Sequence, residues 1–317
     1  MSNVVELICP TCKSILHSSD TELRCIICNK YYPIIDGIPS FTDRDRFYEG
    51  RFLHTRRLRK DAFSKLISRF RIVFPDIGYY RQRFLKKCFD NKRGIVLDLG
   101  CGGGNELLTT IGPVVGIDLS LLSLQGARNI YNQVVHANAT ELPFNDETFD
   151  YIISLDLLGH IPIQYKNAFI SEVYRVLKRG GETVHYIETD SRHPLFQFAK
   201  KTPELFQKYF IESVGGHYGL EYPSDVIARF RNSGFKSIYE QGAWGFFWPL
   251  EAYVNFFDNE YRKQSEIIDM MVMISKAFRN NRALKIVADC AMGICSKLIS
   301  PFMNLDYRQG ILCCYRK

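Results

Sequence analysis

Ile95-Val96-Leu97-Asp98-Leu99-Gly100-Cys101-Gly102-Gly103-Gly104 is the stretch that decides the fold. Ile95, Val96, Leu97 and Leu99 form a short apolar run, the pattern of a strand buried in a parallel sheet. Gly100, Gly102, Gly103 and Gly104 follow at once. At a strand-to-helix turn they permit positive φ and let a ligand approach the backbone closely. Asn105 to Thr110 is expected to open the helix. A glycine loop alone does not separate a nucleotide site from a tight turn; the following strands do.

Val114-Val115-Gly116-Ile117-Asp118 reads as the second strand and ends in an acid 20 residues after Asp98. A carboxylate at that strand end can accept hydrogen bonds from both hydroxyls of a ribose. A pyrophosphate-binding dinucleotide loop calls for Gly-x-Gly-x-x-Gly, whereas Asn105 takes the sixth place here, which argues against a dehydrogenase. Asn138-Ala139-Thr140-Glu141-Leu142-Pro143-Phe144, Phe149 to Ser154 and Arg175 to Gly181 follow in order. In combination these pieces resemble the class I methyltransferases that use S-adenosylmethionine (SAM), in the ubiquinone/menaquinone-methyltransferase-like branch. The resemblance covers residues 94 to 240. It implies an α/β, Rossmann-like fold with a seven-stranded, mostly parallel sheet and an antiparallel last strand, for which Ile311 to Tyr315 is the candidate. It also implies a SAM site made from Asp98, Gly100, Cys101, Gly102, Gly104, Asp118, Leu119, Asn138, Ala139 and Leu155. Asp98 would orient the loop. Asn138 stands where the family usually has Asp, so its side-chain oxygen would accept from the adenine amino group without charge assistance.

Ahead of this domain, Cys9-Pro10-Thr11-Cys12 and Cys25-Ile26-Ile27-Cys28 are separated by 12 residues. Four thiolates so spaced can close a tetrahedron around Zn2+, leaving no position open for water, so the zinc would be structural and the unit would need it to fold. A redox role would need only one pair. Residues 1 to 41 resemble the Trm112-like zinc ribbon fused ahead of some methyltransferases, which implies a docking or substrate-presenting role. Chelation is expected to unfold this unit alone. The chain has ten cysteines but no apolar leader pattern and no apolar window long enough to span a bilayer. The expectation is a cytoplasmic protein whose thiols are metal ligands or buried.

Residues 42 to 93 read as a basic linker. Between 44 and 93 there are 16 Lys or Arg against five Asp or Glu, a net +11 in a chain of net +7. Phe52, Leu58, Phe63, Leu66 and Phe70 recur at helical spacing, which predicts a helix with a basic outer face. Tyr79 to Phe89 predicts a second, with Tyr79 and Tyr80 as lid residues by the resemblance. Such a block can attract phosphate or an anionic membrane surface, or remain a solvated face.

Helices are expected over Leu121–Tyr131, over Asn167–Leu177, stopped by Gly180-Gly181, and over Asp225–Asn232. Strands are expected over 134–137, 151–155, 183–187 and 235–239. The loop after the fourth strand contains His160, and ligands of open α/β sheets bind outside such strand ends. The insertion at 190–222 contains Gly215-Gly216-His217-Tyr218-Gly219. His160 and His217 are therefore the candidate catalytic residues, needed as a base if the acceptor atom is oxygen. A second insertion, 243–305, carries Trp244, Phe246, Phe247, Trp248, Tyr253, Phe256 and Phe257, readable as core, substrate wall or membrane anchor. From Leu284 to Ile299, Lys285, Asp289, Gly293 and Lys297 fall on one helical stripe, and the broad apolar remainder must be covered by protein, a partner or lipid headgroups.

The expected function is SAM-dependent methyl transfer to a small-molecule, glycan or lipid-linked acceptor, with peripheral membrane contact as a further expectation. RNA-base methylation is an alternative suggested by the fused ribbon and basic stretch, although no amino-methylation motif or RNA module is present. A non-catalytic SAM-fold subunit is another, opposed by the intact glycine loop and Asp118.

Overall fold

A computed structural model describes residues 4–44, 46–49, 53, 55, 56 and 77–317. The chain opens with a four-stranded antiparallel sheet of β1 (His17–Ser18), β2 (Glu22–Cys25), β3 (Lys30–Ile35) and β4 (Ile38–Pro39). A seven-stranded sheet follows: β5 (Val96–Leu99), β6 (Val114–Asp118), β7 (Gln133–His136), β8 (Phe149–Leu155), β9 (Leu177–Glu188), β10 (Lys236–Ala243) and β11 (Gly310–Arg316). The order across it is β10-β11-β9-β8-β5-β6-β7. Pairings from β9 to β7 are parallel, and β11 runs antiparallel to both its neighbours. This is the expected α/β architecture. Every residue of β5 and β7 is buried, which is why these strands read as unbroken apolar runs apart from Asp98, Gln133 and His136.

The helices, in chain order, are α1 (Ile77–Phe89), α2 (Leu121–Ala127), α3 (Lys166–Val176), α4 (Pro194–Lys200), α5 (Pro203–Phe206), α6 (Pro223–Asn232), α7 (Leu250–Phe257), α8 (Glu266–Arg279) and α9 (Arg282–Ile299). The expected helix over Phe52–Phe70 lies, apart from Leu53, Thr55 and Arg56, outside the described residues, as do the side chains of Tyr79 and Tyr80.

Two local expectations are corrected. No α-helix opens after the glycine loop; Leu108–Thr110 forms a single 3-10 turn. Asn105 Oδ1 accepts from Leu107 N–H, and the Thr109 and Thr110 hydroxyls bond back to the Glu106 and Leu107 carbonyls. Such local bonds compete with helix propagation, and β6 begins only four residues later. Nor do Gly180 and Gly181 separate a helix from a strand. α3 passes directly into β9 at Leu177, and Gly180, at φ +75°, lies in a bulge. There Phe149 pairs with Leu177 but Tyr151 pairs with Glu182.

The ribbon does not stand apart. Val5, Leu7, Leu23 and Tyr32 belong to the same buried cluster as Val135, Leu142 and Phe144 of the large domain. Gln133 of β7 clamps the ribbon's entry: its Oε1 accepts from Val4 and Val5 N–H (2.9 and 3.0 Å) and its Nε2 donates to Val5 O (3.2 Å). Ile8 N–H donates to Pro143 O and Phe41 N–H to His136 O, so the ribbon covers the β7 edge of the sheet.

The two insertions, at 190–222 and 243–305, also meet. Phe196, Phe210, Trp248, Tyr253, Phe257, Tyr261 and Val272 form one buried cluster, a helical cap. The aromatic segment is thus core and cavity wall rather than a membrane anchor: Trp248 is 2% exposed and Phe257 1%.

Candidate active site

β5, β6, β8 and β9 end on one side of the sheet, and the expected residues gather there. Gly100, Gly102 and Gly104 take φ of +65°, +53° and +89°. A Cβ on Gly104 would lie 2.6 Å from Ile130 Cδ1, so no larger residue closes this loop without displacement. Gly102 N–H donates to Asp118 Oδ2 (2.8 Å) and Ser120 N–H to Oδ1 (2.9 Å). The carboxylate at the end of β6 is thereby aimed at the loop. Burial raises the Asp118 carboxyl above its ordinary value, against the pull of these amides.

Asp98 lies beneath the loop. The Tyr131 hydroxyl donates to Asp98 Oδ2 and accepts from Asn105 N–H, both at 2.6 Å. Asp98 thus orders the loop through Tyr131, a residue that sequence reading left as the end of a helix and that carries no local signal. Burial, opposed by the Tyr131 bond and Arg56, pushes the Asp98 carboxyl up to about 6. Cys101 proves to be a packing residue: its N–H donates to Ile117 O, and its Sγ lies 2.9 Å from where a Gly116 Cβ would be.

The adenine-side residues divide. Leu119 O accepts from His136 Nε2–H, which leaves His136 Nδ1 to accept from Ser40 Oγ at 2.7 Å, a link from the ribbon's end to the residue after Asp118. Ala139 and Leu155 are buried wall residues. Asn138 is exposed, and its Oδ1 already accepts from Thr140 N–H and Oγ1 (3.0 and 2.9 Å). The expected acceptor oxygen is therefore committed to an Asx turn.

Glu49, Thr55 and Arg56 reach this end of the sheet from the linker. Glu49 accepts from Ser120 Oγ and from Leu121 and Leu122 N–H, capping α2. Thr55 Oγ1 donates to Gly103 O and Arg56 N–H to Gly104 O.

On the far side, His160 and His217 come together with ring centroids 4.6 Å apart. His160 Nδ1–H donates to Gly216 O (3.2 Å), so the ring lone pair sits on Nε2. Burial lowers both imidazoles, His217 to about 4, so both are neutral at pH 7. Below them lies a polar cluster that sequence reading missed. Asp156, at φ +65° after β8, pairs with Arg81 of α1 and with Arg56 (3.4 Å). Asp156 acts on Glu188, at the end of β9, and one oxygen of each, Asp156 Oδ1 and Glu188 Oε2, is buried without a hydrogen-bond partner among the described residues. Burial and the Asp156 charge push Glu188 well above the carboxylate range. Burial also works to raise Asp156, but Glu188 and the two guanidiniums outweigh it and hold Asp156 below its ordinary value. The two shifts run in opposite directions, so Glu188 takes up a proton more readily than Asp156. Arg81 lies 4.0 Å from the centroid of Tyr186, whose hydroxyl accepts from Trp244 Nε1–H.

Glu188 and His217 open onto a cavity walled by Phe196, Phe210, Trp244, Trp248 and Phe256. Gln309 lines it as well. Both Gln309 amide atoms and Trp248 Nε1 are buried and have no hydrogen-bond partner among the described residues.

A sequence model of the methyltransferase domain matches residues 97–185. A methyltransferase of Encephalitozoon cuniculi is 30% identical over 162 residues, covering 49% of this chain and 76% of the relative. The demethylmenaquinone methyltransferase of Staphylococcus carnosus is 30% identical over 190 residues, covering 53% of this chain and 78% of that enzyme. This chain belongs to the class I SAM-dependent methyltransferases. Among solved structures, phosphoethanolamine N-methyltransferase 2 of Haemonchus contortus aligns at a TM-score of 0.49 and 18% identity. That alignment covers 88% of this methyltransferase and 62% of the other chain. The positive-φ glycines, the closely packed loop and the acid at the end of β6 fit the family's cofactor.

The four ribbon cysteines also converge. Their sulfurs all lie within 4.8 Å of one another, with Cys12–Cys25 at 3.4, Cys9–Cys28 at 3.5 and Cys12–Cys28 at 3.8 Å. A tetrahedral zinc–thiolate site needs sulfurs about 3.8 Å apart. Each Cys-x-x-Cys turn closes through a residue at positive φ, Lys13 or Asn29.

Proposed function

We propose that this methyltransferase transfers a methyl group from SAM to an uncharged small-molecule acceptor seated in the aromatic cavity beside Glu188 and His217. The observation that carries this is the cavity itself. Its wall is aromatic, its acid is pushed toward the neutral form and its histidine is neutral, so it favours an uncharged ligand. It offers instead an amide donor and acceptor and an indole donor. That chemistry suits a ring-bearing or apolar acceptor with a polar edge, and the name of the Staphylococcus carnosus relative gives demethylmenaquinone as its own acceptor.

SAM, when bound, supplies a methyl group on a cationic sulfur. Asp118 would exchange its backbone bonds for the ribose hydroxyls. Gly100, Gly102 and Gly104 would shape the loop, Leu119, Ala139 and Leu155 would wall the adenine side, and Asn138 would donate from Nδ2 to a ring nitrogen. Asp98 would place negative charge beneath a cationic ligand. His160, oriented by the Gly216 carbonyl, would take a hydroxyl proton on Nε2, and His217 would stack against it. Cys9, Cys12, Cys25 and Cys28 would hold one structural zinc.

Asp118→Ala is expected to weaken SAM binding by about 1.5–3 kcal/mol, roughly 10- to 100-fold, through loss of charge-assisted bonds. Calorimetric titration checks this, and unchanged affinity in a folded variant removes Asp118 from the site. Labelled SAM offered with lipid, glycan and RNA fractions is expected to label the lipid or other small-molecule fraction. Labelled RNA would favour RNA-base methylation, and SAM binding without transfer to any fraction would favour a non-catalytic subunit.

Asp98 gives a pH dependence. Its folded carboxyl, at about 6, lies above the ordinary 3.8. Between those values the folded state holds a proton the unfolded state has lost, so stability falls as pH rises across that window and stays lower above it. A cationic ligand favours the ionised form, so SAM affinity should instead rise with pH and level off above about pH 6. Below that pH it is expected to fall by about tenfold per unit. Asp118 and Arg56 face the same carboxyl, so the control is Asp98→Asn. A variant that keeps the full slope would assign it to another group.

A further inference from the structure

α9 is built inside out. Its polar stripe faces the protein. Asp289 is buried, accepting from Leu250 N–H at the start of α7 (2.9 Å) and pairing with Lys285 (3.0 Å). Ser296 is buried too, accepting from Phe247 N–H and donating to Phe247 O. The opposite face is apolar and exposed: Leu284 at 48%, Val287 at 64%, Ile294 at 48% and Leu298 at 69%. α8, joined to it through the Asn280-Asn281 turn, buries Ile268 and Val272 but is apolar on its outer face as well. Ile267, Met270, Met273 and Ile274 are exposed while Ser275 is buried. Phe302, just beyond α9, is 89% exposed. Exposed apolar residues scattered singly are ordinary, but exposed apolar rows on each of two helices that pack together are not.

Charge beside this face selects what covers it. The ammonium of Lys297 on α9 is lowered by partial burial and then by the positive field of Arg83 on α1. Lys86 and Lys87 are exposed on the same helix, and Lys263 is exposed ahead of α8. A second copy of the chain would meet this face through a two-fold axis, which sets a patch against itself and so brings like charges together. An anionic lipid surface accepts both parts at once, the apolar face in the acyl boundary and the cations at the headgroups. Behind α9, a cavity lined by Gly293, Ser296 and Lys297 reaches Trp244, Tyr186 and Arg81, beside the proposed acceptor site.

We propose that the exposed apolar face of α8 and α9, with the adjoining cations of α1 and α9, docks on an anionic lipid surface. Docking of this face requires neither cofactor nor acceptor. The full chain is expected to float at low salt with vesicles of phosphatidylcholine and phosphatidylglycerol in equal parts, and to stay down with phosphatidylcholine alone. Combining Val287→Glu with Leu298→Glu, both solvent-facing, is expected to cut the floated fraction by about tenfold or more with SAM affinity and thermal midpoint unchanged. Arg83→Glu with Lys297→Glu should reduce flotation as added salt does. The proposal is overturned if the parent chain stays down with the mixed vesicles, or floats equally with both kinds. It is overturned as well if the Val287/Leu298 variant floats like the parent, or if sedimentation shows a dimer that this variant splits while neither protein floats.

Discussion

Removing zinc, by chelation or by Cys25→Ser, is expected to lower the thermal midpoint of the whole chain rather than melt residues 1–41 alone. Apparent zinc-binding free energies in small Cys-rich units are about 10–16 kcal/mol and are folding free energy for those units. Here the unit shares its apolar cluster with the large sheet through Val5, Leu7, Leu23 and Tyr32. Opening it uncovers Val135, Leu142 and Phe144 and strips the Gln133 clamp from the β7 edge. Even a loss of about 3 kcal/mol lowers the midpoint by roughly 6–12 °C for a domain of this size. The Ser40–His136–Leu119 relay should carry the loss to the cofactor side, so SAM affinity should fall too. Metal analysis and calorimetry with and without chelator are the measurements. Two separate transitions with the upper one unmoved would show that the ribbon folds and fails by itself, and a metal content far below one per chain would refute the site.

Lys166→Met is expected to cost about 3–5 kcal/mol, the usual range for breaking a buried ion pair from one side. Lys166 is fully buried, pairs with Glu221 (2.9 Å) and donates to the Gly219 carbonyl. Methionine keeps the apolar stem and removes the charge and the donors. Arg229 still holds Glu221 by a fork of bonds, including 2.6 and 2.9 Å, so the loss should sit near the lower end. A Cβ on Gly219 would lie 1.8 Å from Ile161 O, so only glycine fits where this loop passes Ile161. The same loop supplies the Gly216 carbonyl that orients His160 and carries His217 itself. The variant is therefore expected to lose turnover beyond its loss of stability. Urea denaturation and kcat at a temperature where the variant remains folded separate the two. A cost below about 1 kcal/mol would mean that the pair is not a buried support.

What the sequence determined by itself was whatever is encoded within a few residues. The run Ile95–Leu99 must be a buried strand because it has no polar alternation, and three glycines at positive φ are what a close-packed loop after it requires. Spacing alone brought four sulfurs to one point, because each Cys-x-x-Cys turn is a self-contained unit. His160 and His217 were separable candidates in sequence; their contact needed the loop after β8 and the 190–222 insertion to fold onto each other. Tertiary structure alone decided the rest. Glu188 is pushed up by burial and by the charge of Asp156, against the pull of Arg81, and both of those groups arrive from other elements. Gln309 gains its meaning from a cavity built by residues as distant in the chain as Glu188 and Phe196. The orientation of α9 shows the limit most directly. Its sequence displays one polar stripe and a broad apolar remainder, and the usual rule turns the apolar side inward. Here Asp289 and Ser296 satisfy the backbone ends at Leu250 and Phe247, and those bonds turn the polar side in and leave the apolar side out. Periodicity defines the two faces of a helix; the partners that need hydrogen bonds determine which of them is buried.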